Sequence, residues 1–302
     1  MIKRFLIALG FTGLLASGSK SQSNGILPLS GLKYFHEGIL AKEIDVKVDG
    51  ARLLSNRLPL NKEIEVVVSQ PTGFTADAVK TVYAGAEFIL VSPRGDILLR
   101  TPNLFLNKEK TGFGSKDLVV LSIKFAITPE MARANMNGTV KLRLYDLKGK
   151  NQLRLEMPAT FARPGEALQV SKATRAIPVK DGAVGMINGL KAKNMLVSVD
   201  TSIRVSPKMA YTSLNISSIE GSSIPGIFQG RENFWVYDDN LNEVKITDIL
   251  LKQVKGAMEN NNVDYTLKIP YRLKNNTAKL YTVRFRWESP DKKQLIDVVV
   301  KI

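Results

Sequence analysis

The side chains that most enzyme and metal sites require are nearly absent from this 302-residue chain, which has one histidine, His36, and no cysteine. Without cysteine there is no thiolate nucleophile, no Cys-ligated zinc, no disulfide and no lipid-modified cysteine. A Ser-His-Asp triad or a multi-histidine metal site would have to rest on His36 alone. That residue sits in Gly31-Leu32-Lys33-Tyr34-Phe35-His36-Glu37-Gly38, at the entry to the first domain, and reads as a surface or strand-edge side chain. Carboxylate-pair hydrolysis is the one common mechanism the composition leaves open, since it needs only two acids facing each other across a scissile bond. No catalytic residue, metal ligand or cofactor is expected.

Other clusters could bind rather than react. Asp238, Asp239, Asn240, Asn242 and Glu243 offer oxygen ligands at the spacing that opens an EF-hand loop. Glu243 stands where that loop needs Gly and Ile249 where it needs a bidentate Glu, so a polar turn is the better reading. Arg94-Gly95-Asp96 matches an integrin-binding tripeptide, but it falls at an expected hairpin tip, where Gly-Asp is ordinary turn chemistry. Asn137, Asn215 and Asn275 open glycosylation sequons, which matter only in a eukaryotic secretory route. Trp235 and Tyr237 alternate with Phe234 and Val236 and so share the opposite face of their strand. They are the candidate exposed aromatic pair, suited to stacking on a sugar ring. Tyr271 and Trp287 fall in register with aliphatic core positions instead.

Alternation also places cations together. If Val119, Leu121, Ile123, Val140, Leu142, Leu144, Leu153 and Leu155 point inward, then Lys124, Lys141, Arg143 and Arg154 point outward. In the second half Val263, Tyr265, Leu267, Val283 and Phe285 turn Lys268, Arg284 and Arg286 outward at matching places. The expectation is a repeated basic face for an anionic ligand, consistent with a net charge of +15 and a pI near 9.8. Cations on sheet faces also discourage strand-to-strand aggregation, which needs no ligand.

The elements that must carry these residues are short alternating runs separated by Gly, Pro, Asn and Asp, the pattern of antiparallel strands. They follow a candidate leader, residues 1–21. Lys3 and Arg4 precede an apolar run from Phe5 to Ala16 and a polar, small-residue stretch, with cleavage expected after Gly18 or Ser21. The run is too short for a membrane span, which needs about 20 apolar residues. Export makes nucleic acid a poor partner for the excess charge, and an envelope protein or an anionic glycan a better one.

Two halves repeat one order of elements. Phe88–Val91, the long alternation Val119–Ile127 and the pair Val140–Leu144 and Leu153–Met157 correspond to Phe234–Tyr237, Val263–Tyr271 and Val283–Trp287 with Ile296–Ile302. Upstream, Ile44–Val48 and Ile64–Val68 correspond less closely to Val197–Val199 and Leu214–Ile216. The fold expected is all-β, two tandem immunoglobulin-like or Greek-key β-sandwich domains related by duplication, at 22–163 and 164–302, with 164–193 partly linker. A single closed barrel is the alternative. The one short helix expected is Thr128-Pro129-Glu130-Met131-Ala132-Arg133-Ala134, with a Thr cap and Pro at its first position.

Gly73-Phe74, Gly85, Gly95-Asp96 and Tyr145-Asp146-Leu147-Lys148-Gly149-Lys150, with Gln22 soon after the leader and many Lys and Asn residues, resemble uncharacterised exported two-domain β-sandwich proteins of Bacteroidota. The resemblance implies a periplasmic or extracellular location and no catalytic residues. The leading expectation is a non-catalytic binding or structural module of the cell envelope, not membrane-spanning after cleavage. A carbohydrate-recognition module is the alternative, followed by a carboxylate-dependent hydrolase.

Overall fold

The computed structural model describes residues 24–114, 117–177, 184–198, 209–220, 230–244, 246–247, 252–254, 258–259, 262–273 and 281–301; the expected leader lies outside them. The chain is all-β, and the strands among the described residues form four sheets. The first runs β1 (Gly25–Ile26), β2 (Lys33–Glu37), β11 (Gln152–Phe161), β10 (Asn137–Asp146), β7 (Ala84–Val91), β8 (Ile97–Thr101), with β5 (Arg57–Leu58) parallel to the end of β11. The second runs β12 (Val170–Ser171), β4 (Ala51–Leu53), β3 (Glu43–Val48), β6 (Glu63–Ser69), β9 (Val120–Ala126). The third runs β13 (Arg175–Ile177), β14 (Val184–Asn188), β23 (Leu295–Lys301), β22 (Thr282–Glu288), β17 (Arg231–Tyr237). The fourth runs β15 (Lys191–Ser198), β16 (Met209–Glu220), β21 (Asn262–Leu273), and the short strands β18 (Ile246–Thr247), β19 (Lys252–Val254) and β20 (Met258–Glu259) all pair with β21.

Side-chain alternation builds the first half. Every second residue of β10 and β11 is buried, and register sets Leu142 between Phe88 and Leu155. The apolar faces of the first two sheets share one cluster, in which the Phe88 ring of β7 meets Phe125 of β9 at 4.7 Å between centroids. Gly85, Tyr145, Asp146 and Gly73 are fixed by close local contacts. Gly85 lies opposite Tyr145, where any side chain would collide with the tyrosine ring. The Asp146 carboxylate accepts the Thr75 and Lys148 N–H groups at 2.8 and 3.0 Å, and Asn151 donates to the Gly73 carbonyl at 2.6 Å.

Two local expectations are corrected. Over Thr128–Ala134 there is one turn and no helix: Ala132 N–H reaches the Thr128 carbonyl at 3.1 Å, but Asn135, at φ 61°, turns the chain so that its N–H pairs with Phe161 at 2.7 Å. Val119 is exposed, because it ends a 3₁₀ turn before the strand phase begins at Leu121. Past Arg163-Pro164-Gly165, β12 pairs back onto β4 of the second sheet. Among the described residues no helix is long and apolar enough to cross a membrane.

Candidate functional site

In β22 and β23 both faces are buried. One face carries Val283, Phe285, Trp287, Ile296, Val298 and Val300. The other carries Thr282, Arg284, Arg286 and Asp297, and it is covered by the connection between β1 and β2. That connection, Leu27–Leu32, is closed by the Leu27 N–H on the Leu32 carbonyl at 2.8 Å. Its tip holds Leu29 in the left-handed region at φ 71° and Gly31 at φ 70°. The Leu29 side chain enters a small cluster with Leu54, Met186 and Leu295, which joins both halves. Its carbonyl accepts Arg284 Nη2 at 3.0 Å and Arg286 Nη1 at 3.1 Å. A side chain at Gly31 would overlap Arg284 Nη1, so the turn needs glycine for space as well as for φ.

Beneath the tip lies Asp297, at 0 % exposure. It accepts Arg284 Nε at 3.0 Å and Nη2 at 2.8 Å, and Arg286 Nη1 at 3.3 Å. Two buried cations therefore share one carboxylate and one backbone carbonyl. Burial holds the Arg286 pKa below the usual guanidinium value, and Asp297 opposes that shift. Beside this cluster Ile26, Tyr237, Leu241 and Val299 pack together, the Lys33 ammonium sits 5.2 Å from the Tyr237 ring centre, and Lys301 donates to the Asn24 carbonyl.

Burial pushes the Tyr237 phenol up to about 12, from 10.0. A folded-state value above the unfolded one means this contribution is whole below pH 10 and is lost as pH rises through 12. An ultraviolet titration is expected to show Tyr237 as a late-ionising phenol that vanishes in Tyr237→Phe. Stability between those limits is expected to fall less steeply with pH in that variant. A wild-type curve with every phenol ionising near 10 would contradict the placement of Tyr237.

Where the two halves meet, a cleft of about 540 Å³ stays open. Its walls are the hairpin tip, the Ser55–Arg57 turn, Gln169 and the covered faces of β17 and β22. Trp235 lines it, half-buried, with the Arg284 guanidinium 5.0 Å from its ring centre. Lys33, Arg231 and Lys292 also line it and have no ion pair among the described residues, whereas Arg57 is held by Glu166. Burial lowers the Lys33 pKa, against the pull of Glu156, Glu243 and Asp238.

Of the residues singled out by sequence, Trp235, Tyr237, Arg284 and Arg286 are brought together here. Their exposure is corrected. Tyr237 and Arg284 are each 7 % exposed and Arg286 6 %, because the face they share points away from its own sheet's apolar side into the first half. The seven cations do not form one face. Lys124 is on β9 of the second sheet, bound to Glu63 at 2.8 Å, while Lys141, Arg143 and Arg154 are on the first. Those three meet acids from neighbouring strands: Lys141–Glu156 at 3.8 Å, Arg143–Glu87 at 2.8 Å and Arg154–Glu37 at 2.6 Å. On the outward face of the first sheet these cations are therefore paired, with Glu87 shared between Arg143 and Arg100. Lys268 lies on β21 of the fourth sheet, and its side chain falls outside the described residues.

The remaining candidates are turns or internal pairs. Asp238 Oδ1 accepts the Asn240 and Asn242 N–H groups at 2.9 and 2.8 Å, a self-contained Asx turn. At the β7–β8 tip the Asp96 carboxylate accepts the Ser92 hydroxyl at 3.0 Å, and the Ser92 oxygen accepts the Arg94 and Asp96 N–H groups. A smaller pocket of about 200 Å³ is lined by His36, Glu43 and Asp45. Both acids are engaged by Arg52, at 3.1 and 2.9 Å, and burial raises the Asp45 pKa against that attraction. Sequence reasoning missed Lys33, Arg231, Asn233 and Lys292. Arg231 and Asn233 share the Trp235 face by simple alternation and were within its reach. Lys33 and Lys292 join the cleft only through tertiary docking. No family model matches the chain, and no curated protein matches it.

Proposed function

We propose that the protein is an exported, non-catalytic binding module of the cell envelope, made by duplication of one β-sandwich domain, with its ligand site in the cleft between the two halves. The order of strands supports the duplication. β2-β11-β10-β7 in the first sheet and β14-β23-β22-β17 in the third place equivalent elements side by side, all antiparallel. β3-β6-β9 and β15-β16-β21 do the same in the other two. The observation that carries the binding role is the cleft itself, where a half-buried tryptophan and three cations without ion pairs among the described residues converge on open space. Binding suits it better than catalysis. Arg284 and Arg286, which line it, are already engaged by the fully buried Asp297.

A thermal-shift panel of neutral sugars, acidic sugars, amino acids, nucleotides, fatty acids and short peptides tests this reading. At a hundredfold excess over Kd a ligand that binds only the folded chain stabilises it by about 2.7 kcal/mol. At least one class is expected to raise the melting temperature of the wild type and to lose that effect in Trp235→Ala. If no class shifts the wild type, or if every shift persists in the variant, the cleft is not a ligand site.

A further inference from the structure

The lining of the cleft specifies a ligand class. Six cations line it, Lys33, Arg57, Arg231, Arg284, Arg286 and Lys292. Two carboxylates, Glu243 and Glu288, line it with them; behind the lining Glu166 holds Arg57, Asp297 holds the arginine pair, and Glu156 and Asp238 attract Lys33. Arg231 and Lys292 are left without an ion pair among the described residues, enough for one or two anionic groups and too little for a polyanion, which Glu243 and Glu288 would repel. Asn56 and Asn233 present side-chain amides with no hydrogen bond among the described residues. Amides and carboxylates on one wall can both donate to and accept from hydroxyl groups. Trp235 adds an aromatic surface whose electrons are drawn toward the guanidinium at 5.0 Å. Polar walls make a poor seat for an acyl chain or an apolar side chain, since their groups would be left without partners.

We infer that the cleft binds a short acidic saccharide of the uronic-acid type, with Trp235 under a sugar ring and Arg231 and Lys292 receiving its carboxylate. The inference rests on the reading of the cleft as a ligand site. Export, which the leader suggests, would place such a site among envelope and extracellular glycans.

Calorimetry on the full chain tests it with four probes: a galacturonic acid trisaccharide, its neutral methyl ester, a triglutamate peptide and adenosine monophosphate. The acidic trisaccharide is expected to bind most tightly, and its affinity to fall as salt rises, because exposed charges are screened over about 8 Å at physiological ionic strength. Arg231→Gln combined with Lys292→Gln changes two exposed side chains and leaves the Asp297 cluster intact. That variant is expected to weaken the acidic sugar about tenfold, with little effect on the ester. An ester that binds as well as the acid overturns the inference, and so does tighter binding of triglutamate or the nucleotide. If none of the probes binds while some other compound of the wider panel binds through Trp235, the cleft reading stands and the acidic-sugar assignment fails.

Discussion

In urea denaturation the Asp297→Ala variant is expected to lose roughly 3–5 kcal/mol of stability, the cost of leaving buried charge uncompensated. The wild-type carboxylate receives three hydrogen bonds from two guanidinium groups that are themselves 7 and 6 % exposed. Without it, Arg284 and Arg286 stand beside each other with the Leu29 carbonyl, the Tyr237 hydroxyl beside Arg284 and a more distant Glu288 carboxylate, 3.9 Å from Arg286, as what remains. Water cannot restore what the carboxylate supplied unless the face opens, and the part able to open is the docked hairpin. Hydrogen exchange is therefore expected to speed up at the Leu29 to Lys33 amides before it does in β10 or β11. Replacing Arg284, Arg286 and Asp297 together by Met, Leu and Leu should recover most of the loss, because apolar groups of similar volume need no counter-charge. A loss under about 1 kcal/mol in the single variant would mean the arginines are solvated, and the clamp would be refuted.

Trp287→Ala is expected to lose a similar amount, roughly 3–5 kcal/mol, for a different reason. The side chain is 2 % exposed and among the largest fully buried in the protein. It lies on the apolar face of β22 beside Ile296, and Gly230 approaches so closely that any Cβ there would overlap the indole. Truncation removes the packing and leaves a cavity that paired strands cannot collapse to fill. The damage is expected to be regional. Amides of β17, β22 and β23 should lose protection while those of β3, β6, β10 and β11 keep theirs, since the first half has a core cluster of its own. Equal loss in both halves would show that they unfold as one unit. The chain has two tryptophans, so in this variant Trp235 becomes the only one and its emission reports on the cleft alone.

Much of the β architecture was legible because a strand writes its two faces into alternate residues. Val140, Leu142 and Leu144, and Leu153 and Leu155, are buried where alternation puts them, and the expected β7–β8 hairpin forms around Ser92–Asp96. Even at the site, alternation correctly set Arg284 and Arg286 on the side of β22 opposite Val283 and Phe285. The helix expected at Thr128–Ala134 failed because a cap and a proline can start a turn, but only partners can continue it. Here the N–H of Asn135 is taken by Phe161, a residue of a distant strand.

What the residues by themselves determined is which side chains share a face of a strand; whether that face meets water or another part of the chain was decided by tertiary docking. Lys124 and Lys141 both point away from the same core, yet they belong to different sheets and never meet on one surface. Arg143 and Arg154 point outward as expected, but strand register brings Glu87 and Glu37 beside them, and no count of cations along one strand could reveal that. Arg284 turns outward from its own sheet into the carbonyl of Leu29, 255 residues earlier. Periodicity is a property of a few consecutive residues, whereas burial of a sheet's second face depends on which distant segment lies across it.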